Sequence, residues 1–250
     1  MDIENRVAIV TGAGSGTGRL VAERLAALGA TVVVADVDGA HAEQVGRDLV
    51  ERGGRAVPVH ADVLDDAGRS AIVSCAEALG GPHVLVNNAG GWGDAAYQYP
   101  EAAPPQWRAV LELNLGAPMA LTQLCLSPMS RRGGGAVVNI SSSAGVERTG
   151  YASPEYAVAK AGLVRFTTSL ADLPATHGVR VNCVVPNWVG LDRAHAELAA
   201  MPDERRAAAP PLIPPGTVVS AVVDLLADET MSGRVVVLEG GRLPRLLEAT

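Results

Sequence analysis

Thr11-Gly12-Ala13-Gly14-Ser15-Gly16-Thr17-Gly18 is the stretch on which the reading of this chain turns. A Val/Ile-rich run over residues 6–11 precedes it and an amphipathic pattern over 18–28 follows, so a strand enters a glycine turn and a helix leaves it. Such a turn lets backbone N–H groups and a helix N-terminus come close to a pyrophosphate, because no Cβ stands in the way. Asp36 ends the next apolar run, residues 31–36. A carboxylate there accepts hydrogen bonds from both ribose hydroxyls and repels a 2′-phosphate. No arginine stands within the turn or just after Asp36 to hold such a phosphate. The pattern predicts a bound dinucleotide, NAD in preference to NADP.

The same alternation continues outward. Strands are predicted over 6–11, 31–36, 56–61, 83–87, 136–141, 180–185 and 234–239, most of them continuous apolar runs, as in parallel strands covered on both faces. Helical patterns occupy 18–28, 40–52, 65–79, 105–130, 155–176 and 217–227. Repeated βαβ units mean an α/β fold with a doubly wound, mostly parallel seven-stranded sheet and helices on both faces. Pro58 removes a ladder donor and so belongs on an edge strand, which the third strand is in the order 3-2-1-4-5-6. No linker or repeat divides the chain, so residues 1–250 are expected to form one domain. Around 187–216 a short helical piece (192–200) and an Ala/Pro-rich segment (201–216) are expected to form a substrate lid.

Composition narrows the classes. Hydrophobic residues make up 48% and charged residues 19% of 250, enough for a large core and too little charge for disorder. A net charge of −7 excludes a basic nucleic-acid or anionic-membrane surface. Cys75, Cys125 and Cys183 are far apart and odd in number, and the five histidines have no ligand spacing, so neither a disulfide framework nor a metal site is expected. The charged start Met1-Asp2-Ile3-Glu4-Asn5-Arg6 is unlike a signal peptide, and no apolar run reaches the roughly 18 residues of a membrane span. The expectation is a cytoplasmic protein with no membrane partner.

One cation is unlike the rest. Of 20 basic residues, 19 are arginine, and the single lysine, Lys160, lies four residues after Tyr156. An ammonium is compact enough to sit beside a phenol and favour its ionised form, whereas a guanidinium is a planar fork.

Together these residues resemble the short-chain dehydrogenase/reductase family over essentially the whole chain. The turn matches that family's TGxxxGxG, and Asn87-Asn88-Ala89-Gly90 matches its NNAG. Asn114 stands at its catalytic asparagine, Asn139-Ile140-Ser141-Ser142 ends the fifth strand, and Tyr156-x-x-x-Lys160 opens the following helix. The resemblance implies a Rossmann fold and hydride transfer between NAD(H) and a secondary alcohol or ketone. It makes Tyr156 the acid/base, Lys160 its cationic neighbour and a ligand of the nicotinamide ribose, Ser142 the donor to the substrate oxygen, and Asn114 the holder of a proton-relay water. Counting back from Gly145 selects Ser142, and counting back from Tyr156 selects Ser143; Ser142 is preferred. Gly12, Ser15, Gly16, Thr17, Gly18, Asp36, Asp62, Val63, Asn88, Ala89, Gly90, Tyr156, Lys160, Pro186 and Val189 are the implied cofactor contacts. After the sixth strand the chain departs from the family: Pro186-Asn187-Trp188-Val189-Gly190-Leu191 lacks the hydroxyl that would hold the carboxamide.

Five of eight aromatic residues, Trp92, Tyr97, Tyr99, Tyr151 and Trp188, fall in loops at the carboxyl ends of strands, where ligands bind an open α/β sheet. Trp92, Ser143, Tyr151 and Trp188 are therefore candidate pocket residues for a hydrophobic substrate. Arg148 and Arg193 are the arginines in these segments able to clamp an acid. An NADPH-dependent ketoreductase and a non-catalytic dinucleotide-binding regulator are the competing functions; the intact Asn114, Ser142, Tyr156 and Lys160 set argues against the second. The family resemblance implies a homodimer or homotetramer built on the helices at 105–130 and 155–176.

Overall fold

The computed structural model describes residues 1–93 and 98–248; Tyr97 lies outside the described residues. Strands β1 (Val7–Thr11), β2 (Thr31–Asp36), β3 (Arg55–His60), β4 (Val84–Asn87), β5 (Gly135–Ile140), β6 (Val179–Pro186) and β7 (Val235–Leu238) run parallel in the order β3-β2-β1-β4-β5-β6-β7. An eighth strand, β8 (Arg245–Leu246), pairs antiparallel with β7 and corrects the expected count of seven. Two residues are too few to leave a periodic signal in sequence. Pro58 lies on β3 at the sheet edge, as its missing donor requires.

The helices are α1 (Gly16–Ala27), α2 (Gly39–Glu51), α3 (Asp66–Ala78), α4 (Pro104–Leu111), α5 (Ala117–Arg131), α6 (Pro154–Ser169), α7 (Leu173–His177), α8 (Asp192–Ala200), α9 (Asp203–Ala208) and α10 (Pro215–Ala227). They form two layers, because side chains of a strand alternate between faces. Ala8 and Val10 of β1 enter a core with α1, α2 and α10, while Val7 and Ile9 enter one with α3 and α5.

Two predicted helices are broken. The pattern at 105–130 becomes α4, a π-helical turn over Glu112–Gly116, and α5. The Asn114 side chain donates to the Val110 carbonyl at 2.9 Å, the acceptor its own N–H would use in an α-helix, and the chain widens there. The pattern at 155–176 splits at Pro174, which opens α7. Counted continuously, Pro104–Arg131 is long and apolar enough in composition to cross a membrane, but in this fold it packs on α3, α6 and strands β4 and β5, as a core helix does.

The segment between β6 and α10 leaves the sheet and returns to it. Val189 and Ile213 form a parallel bridge, with Gly190 N–H donating to the Ile213 carbonyl and Ile213 N–H to that of Trp188, both at 2.8 Å. Between these ends lie α8 and α9.

The glycine turn gives a contrasting pair of tests. A Cβ on Gly18 would lie 2.1 Å from the Gly12 carbonyl oxygen, whereas one on Gly216 in the first turn of α10 meets nothing within 4 Å. Gly18→Ala should lose about 1–3 kcal/mol in urea unfolding, and Gly216→Ala should be neutral or gain up to about 1 kcal/mol.

Candidate active site

The carboxyl ends of β1 and β4 meet at the glycine turn. The Thr11 hydroxyl accepts from the Asn88 and Ala89 N–H groups, both at 3.0 Å, and the Asn88 amide donates to the carbonyls of Thr11 (2.9 Å) and Gly12 (3.1 Å). Gly12 and Gly16 have φ of +62° and +53°, which an L side chain resists. A Cβ on Gly16 would find only Leu191 Cδ1, at 3.4 Å, so the outer face of the turn is open apart from that one side chain. Ser15 begins α1 without a side-chain cap, leaving the first-turn N–H groups of Gly16, Thr17 and Gly18 aimed outward. This cradle suits a pyrophosphate.

Asp36 is fixed by backbone donors, Gly14 N–H on Oδ2 at 2.8 Å and Asp38 N–H on Oδ1 at 2.9 Å. Each oxygen keeps a lone pair for a ribose hydroxyl. Asp62 accepts from Leu64 N–H at 2.9 Å, and Val63 beside it is buried against the core. Gly90 closes the inner end: a Cβ there would lie 2.7 Å from Asn114 Oδ1 and 3.2 Å from Lys160 Nζ. Pro186 is buried at the end of β6, and Val189 carries the bridge to Ile213.

Tyr156 and Lys160 are both buried, one turn apart near the start of α6. Two contacts seat that helix. The Ser141 hydroxyl donates to the Lys160 carbonyl at 2.8 Å, and Gly145 packs so closely that its Cβ would lie 2.5 Å from the Lys160 carbonyl carbon. Lys160 Nζ donates to the Ile140 carbonyl at 2.9 Å and lies 5.5 Å from the Tyr156 ring centroid. Of the three serines, Ser142 is the one that bears on the phenol, acting to lower its pKa; its hydroxyl also accepts from Ala144 N–H at 3.3 Å. Ser143 contributes its carbonyl to the turn that follows. Asn114 donates to the carbonyls of Gly91 (2.7 Å) and Val110 and accepts from Gly91 N–H at 3.1 Å. Its amide protons are both engaged, so the side chain holds the loop after β4, and a relay water would have to use an oxygen.

Burial pushes the Tyr156 phenol up to about 12; Ser142 opposes the rise and Tyr151 adds to it. Burial also brings Lys160 down to about 8, with Cys183 acting against the fall. Desolvation of the ring dominates, and the ammonium faces the Ile140 carbonyl.

The rings around Tyr156 form a cleft. Trp92 meets it edge-on at 5.9 Å and 89°, and Tyr151 stacks at 6.0 Å and 22°. The Arg193 guanidinium lies over Trp92, its Cζ 4.3 Å from the ring centroid. Trp188 is partly buried and makes no ring contact among the described residues. Tyr99 is 59% exposed and Arg148 is exposed. The sequence missed the Ile140 carbonyl under Lys160 and the Leu191 methyl over Gly16. A backbone acceptor carries no residue signature, and a leucine in a loop looks like any other.

The family model described as short chain dehydrogenase matches residues 6–201. The chain is 36% identical over 246 residues to the cis-4-hydroxycyclohexanecarboxylate dehydrogenase of Sinomonas cyclohexanicum, covering 94% of this chain and 96% of that protein. It is 35% identical over 255 residues to the 4-formylbenzenesulfonate dehydrogenase of Comamonas testosteroni, covering 97% and 99%. A solved 7α-hydroxysteroid dehydrogenase, complexed with NADH and 7-oxo glycochenodeoxycholic acid, superimposes with a TM-score of 0.87 at 28% identity, covering 98% of this chain and 97% of that one.

The burial of Lys160 has a measurable cost. A fall from 10.5 to about 8 corresponds to about 3 kcal/mol against the charged form at neutral pH. Lys160→Met should therefore be more stable than wild type at pH 7, by up to about 3 kcal/mol. Between about pH 8 and 10.5 the unfolded lysine holds its proton while the folded one releases it, so wild-type stability rises with pH and the gap closes. Denaturant unfolding of both proteins across that range checks the sign.

Proposed function

The chain belongs to the short-chain dehydrogenase family, and on that footing we propose that it moves hydride between NAD(H) and a hydrophobic, cyclic secondary alcohol or the matching ketone. The observation that carries this is the Tyr156 phenol, buried in an aromatic cleft with the Lys160 ammonium 5.5 Å from its ring centroid and Ser142 bearing on its acidity. When bound, the nicotinamide supplies the hydride acceptor or donor. Everything else falls to this chain's residues.

Asp36 receives the adenosine ribose, the first turn of α1 the pyrophosphate, and Asp62 and Val63 border the adenine. Asn88, Ala89 and Gly90 form the floor, while Pro186 and Val189 border the nicotinamide. Ser142 donates to the substrate oxygen and places it on the phenol. During oxidation Tyr156 takes the hydroxyl proton as phenolate, and during reduction it returns one. At about 12 the phenol ionises poorly even with Ser142 acting on it, so this step draws on the Lys160 charge to favour the phenolate. Asn114 keeps the Gly90–Gly91 loop beside the lysine. The segment around 187–216 covers the mouth as a lid, with Leu191 already against the turn.

Two observations favour a cyclic substrate. The cleft walls of Trp92 and Tyr151 are flat, and the similar proteins named above act on or hold ring compounds. Exposed Met119, Leu124 and Val158 on α5 and α6 fit a homodimer or homotetramer, and a cytoplasmic location belongs to the same reading.

Absorbance at 340 nm with NAD⁺ or NADP⁺ tests this on a panel of cyclohexanol, 4-hydroxycyclohexanecarboxylate, its methyl ester and hydroxysteroids. Turnover is expected with NAD⁺. Tyr156→Phe should lower kcat by about 10²-fold or more, Lys160→Arg should lose most activity despite keeping its charge, and Asp36→Ala should admit NADP⁺. Absence of turnover with either cofactor across the panel would overturn the proposal.

A further inference from the structure

Resting on the hydride-transfer reading above, the geometry points to a substrate that carries an anionic group, a carboxylate or sulfonate, remote from its reacting carbon, and to Arg193 as the residue that recognises it. Arg193 lies in the first turn of α8, two residues after Leu191, whose side chain rests against the glycine turn. Its Cζ stands 4.3 Å above the Trp92 ring, and Trp92 is 5.9 Å from Tyr156, so the guanidinium is at most 10.2 Å, the sum of the two, from the phenol ring. A molecule whose hydroxyl reaches Tyr156 and whose body lies along Trp92 brings its far end to this arginine.

The guanidinium is half held and half free. Its Nε donates to Glu197 Oε1 at 2.7 Å, one helical turn on, while its two terminal nitrogens donate to nothing among the described residues. The indole beneath fixes the plane of the fork. What remains is a pair of parallel N–H donors on a permanently charged group, the geometry that matches a carboxylate or sulfonate edge. With 65% of the side chain exposed, the charge remains hydrated until a ligand arrives.

The surrounding charges give the mouth a direction. Burial raises the Tyr151 pKa first, and the carboxylates of Glu147 and Glu197 add to the rise, so negative charge lies on the Tyr151 side of the mouth. Arg193 makes the Trp92 wall positive, although Glu197 shares its Nε edge. In a chain of net charge −7 an anion is repelled at long range; once inside, it is turned from Glu147 toward the free edge of the fork. A surface ion pair with Glu197 alone would leave the arginine without influence on substrate choice.

The test compares 4-hydroxycyclohexanecarboxylate with its methyl ester in wild type, Arg193→Gln and Arg193→Lys, with NAD⁺ as cofactor. Wild type should prefer the acid. Arg193→Gln, which keeps length and loses charge, should raise KM for the acid about ten- to a hundred-fold, with kcat and the ester's KM little changed. Arg193→Lys, with charge but no fork, should fall between. Equal kcat/KM for acid and ester in wild type, or the same loss on both substrates in Arg193→Gln, would overturn the inference and leave the proposed function standing. No turnover of either compound or of the neutral alcohols would overturn that function and this inference with it.

Discussion

The site depends on a clamp between two loops that are far apart in sequence. β1 and β4 lie side by side although more than seventy residues separate them, and the chain leaves them in opposite directions. The Thr11 hydroxyl and the Asn88 amide tie these ends together with four hydrogen bonds between 2.9 and 3.1 Å. The crevice that results runs from Asp36, past the glycines, to Gly90, where Asn114 and Lys160 begin. Remove the clamp and the turn on one side would no longer be registered to the floor on the other.

The same floor supports a costly charge. Lys160 is buried with one carbonyl as its hydrogen-bonding partner among the described residues, beside a phenol that is itself desolvated. Buried charges are expensive and usually come with full pairing. Here the surroundings hold the lysine in place instead: Ser141 grips its carbonyl, the turn at Gly145 packs on its backbone, and Gly90 leaves the space at its tip. Stability has been exchanged for position, which is the pattern of a functional site.

Much of this was legible in the residues. Glycines in a strand–turn–helix frame and Asp36 at the end of β2 placed the fold, and Tyr156 four residues before the lone lysine marked a pair that the fold buries together. Pro58 placed its strand at the edge, and β3 is there. The misses have physical causes. A helical period survives across Asn114, because a π-helical turn adds one residue without altering polarity. β8 is shorter than any repeat. Which of Ser141, Ser142 and Ser143 meets the phenol depends on how the turn over Ser143–Gly145 is wound, and counting cannot supply that. Spacing reports that Tyr156 and Lys160 are neighbours but not that the ring is dry or that the ammonium donates to the Ile140 carbonyl.

The bridge between Val189 and Ile213 has one more implication. It closes the excursion after β6 into a loop whose two feet are joined at the sheet, so what happens between them is mechanically separate from the strands. Closing a longer loop costs only about 0.6 kcal/mol for each doubling of its length. The segment bearing Arg193 can thus lengthen, shorten or be exchanged for another while β6, α10 and the floor beneath Tyr156 stay as they are. A fold so arranged can acquire new specificities by changing its cover and leaving its machinery untouched.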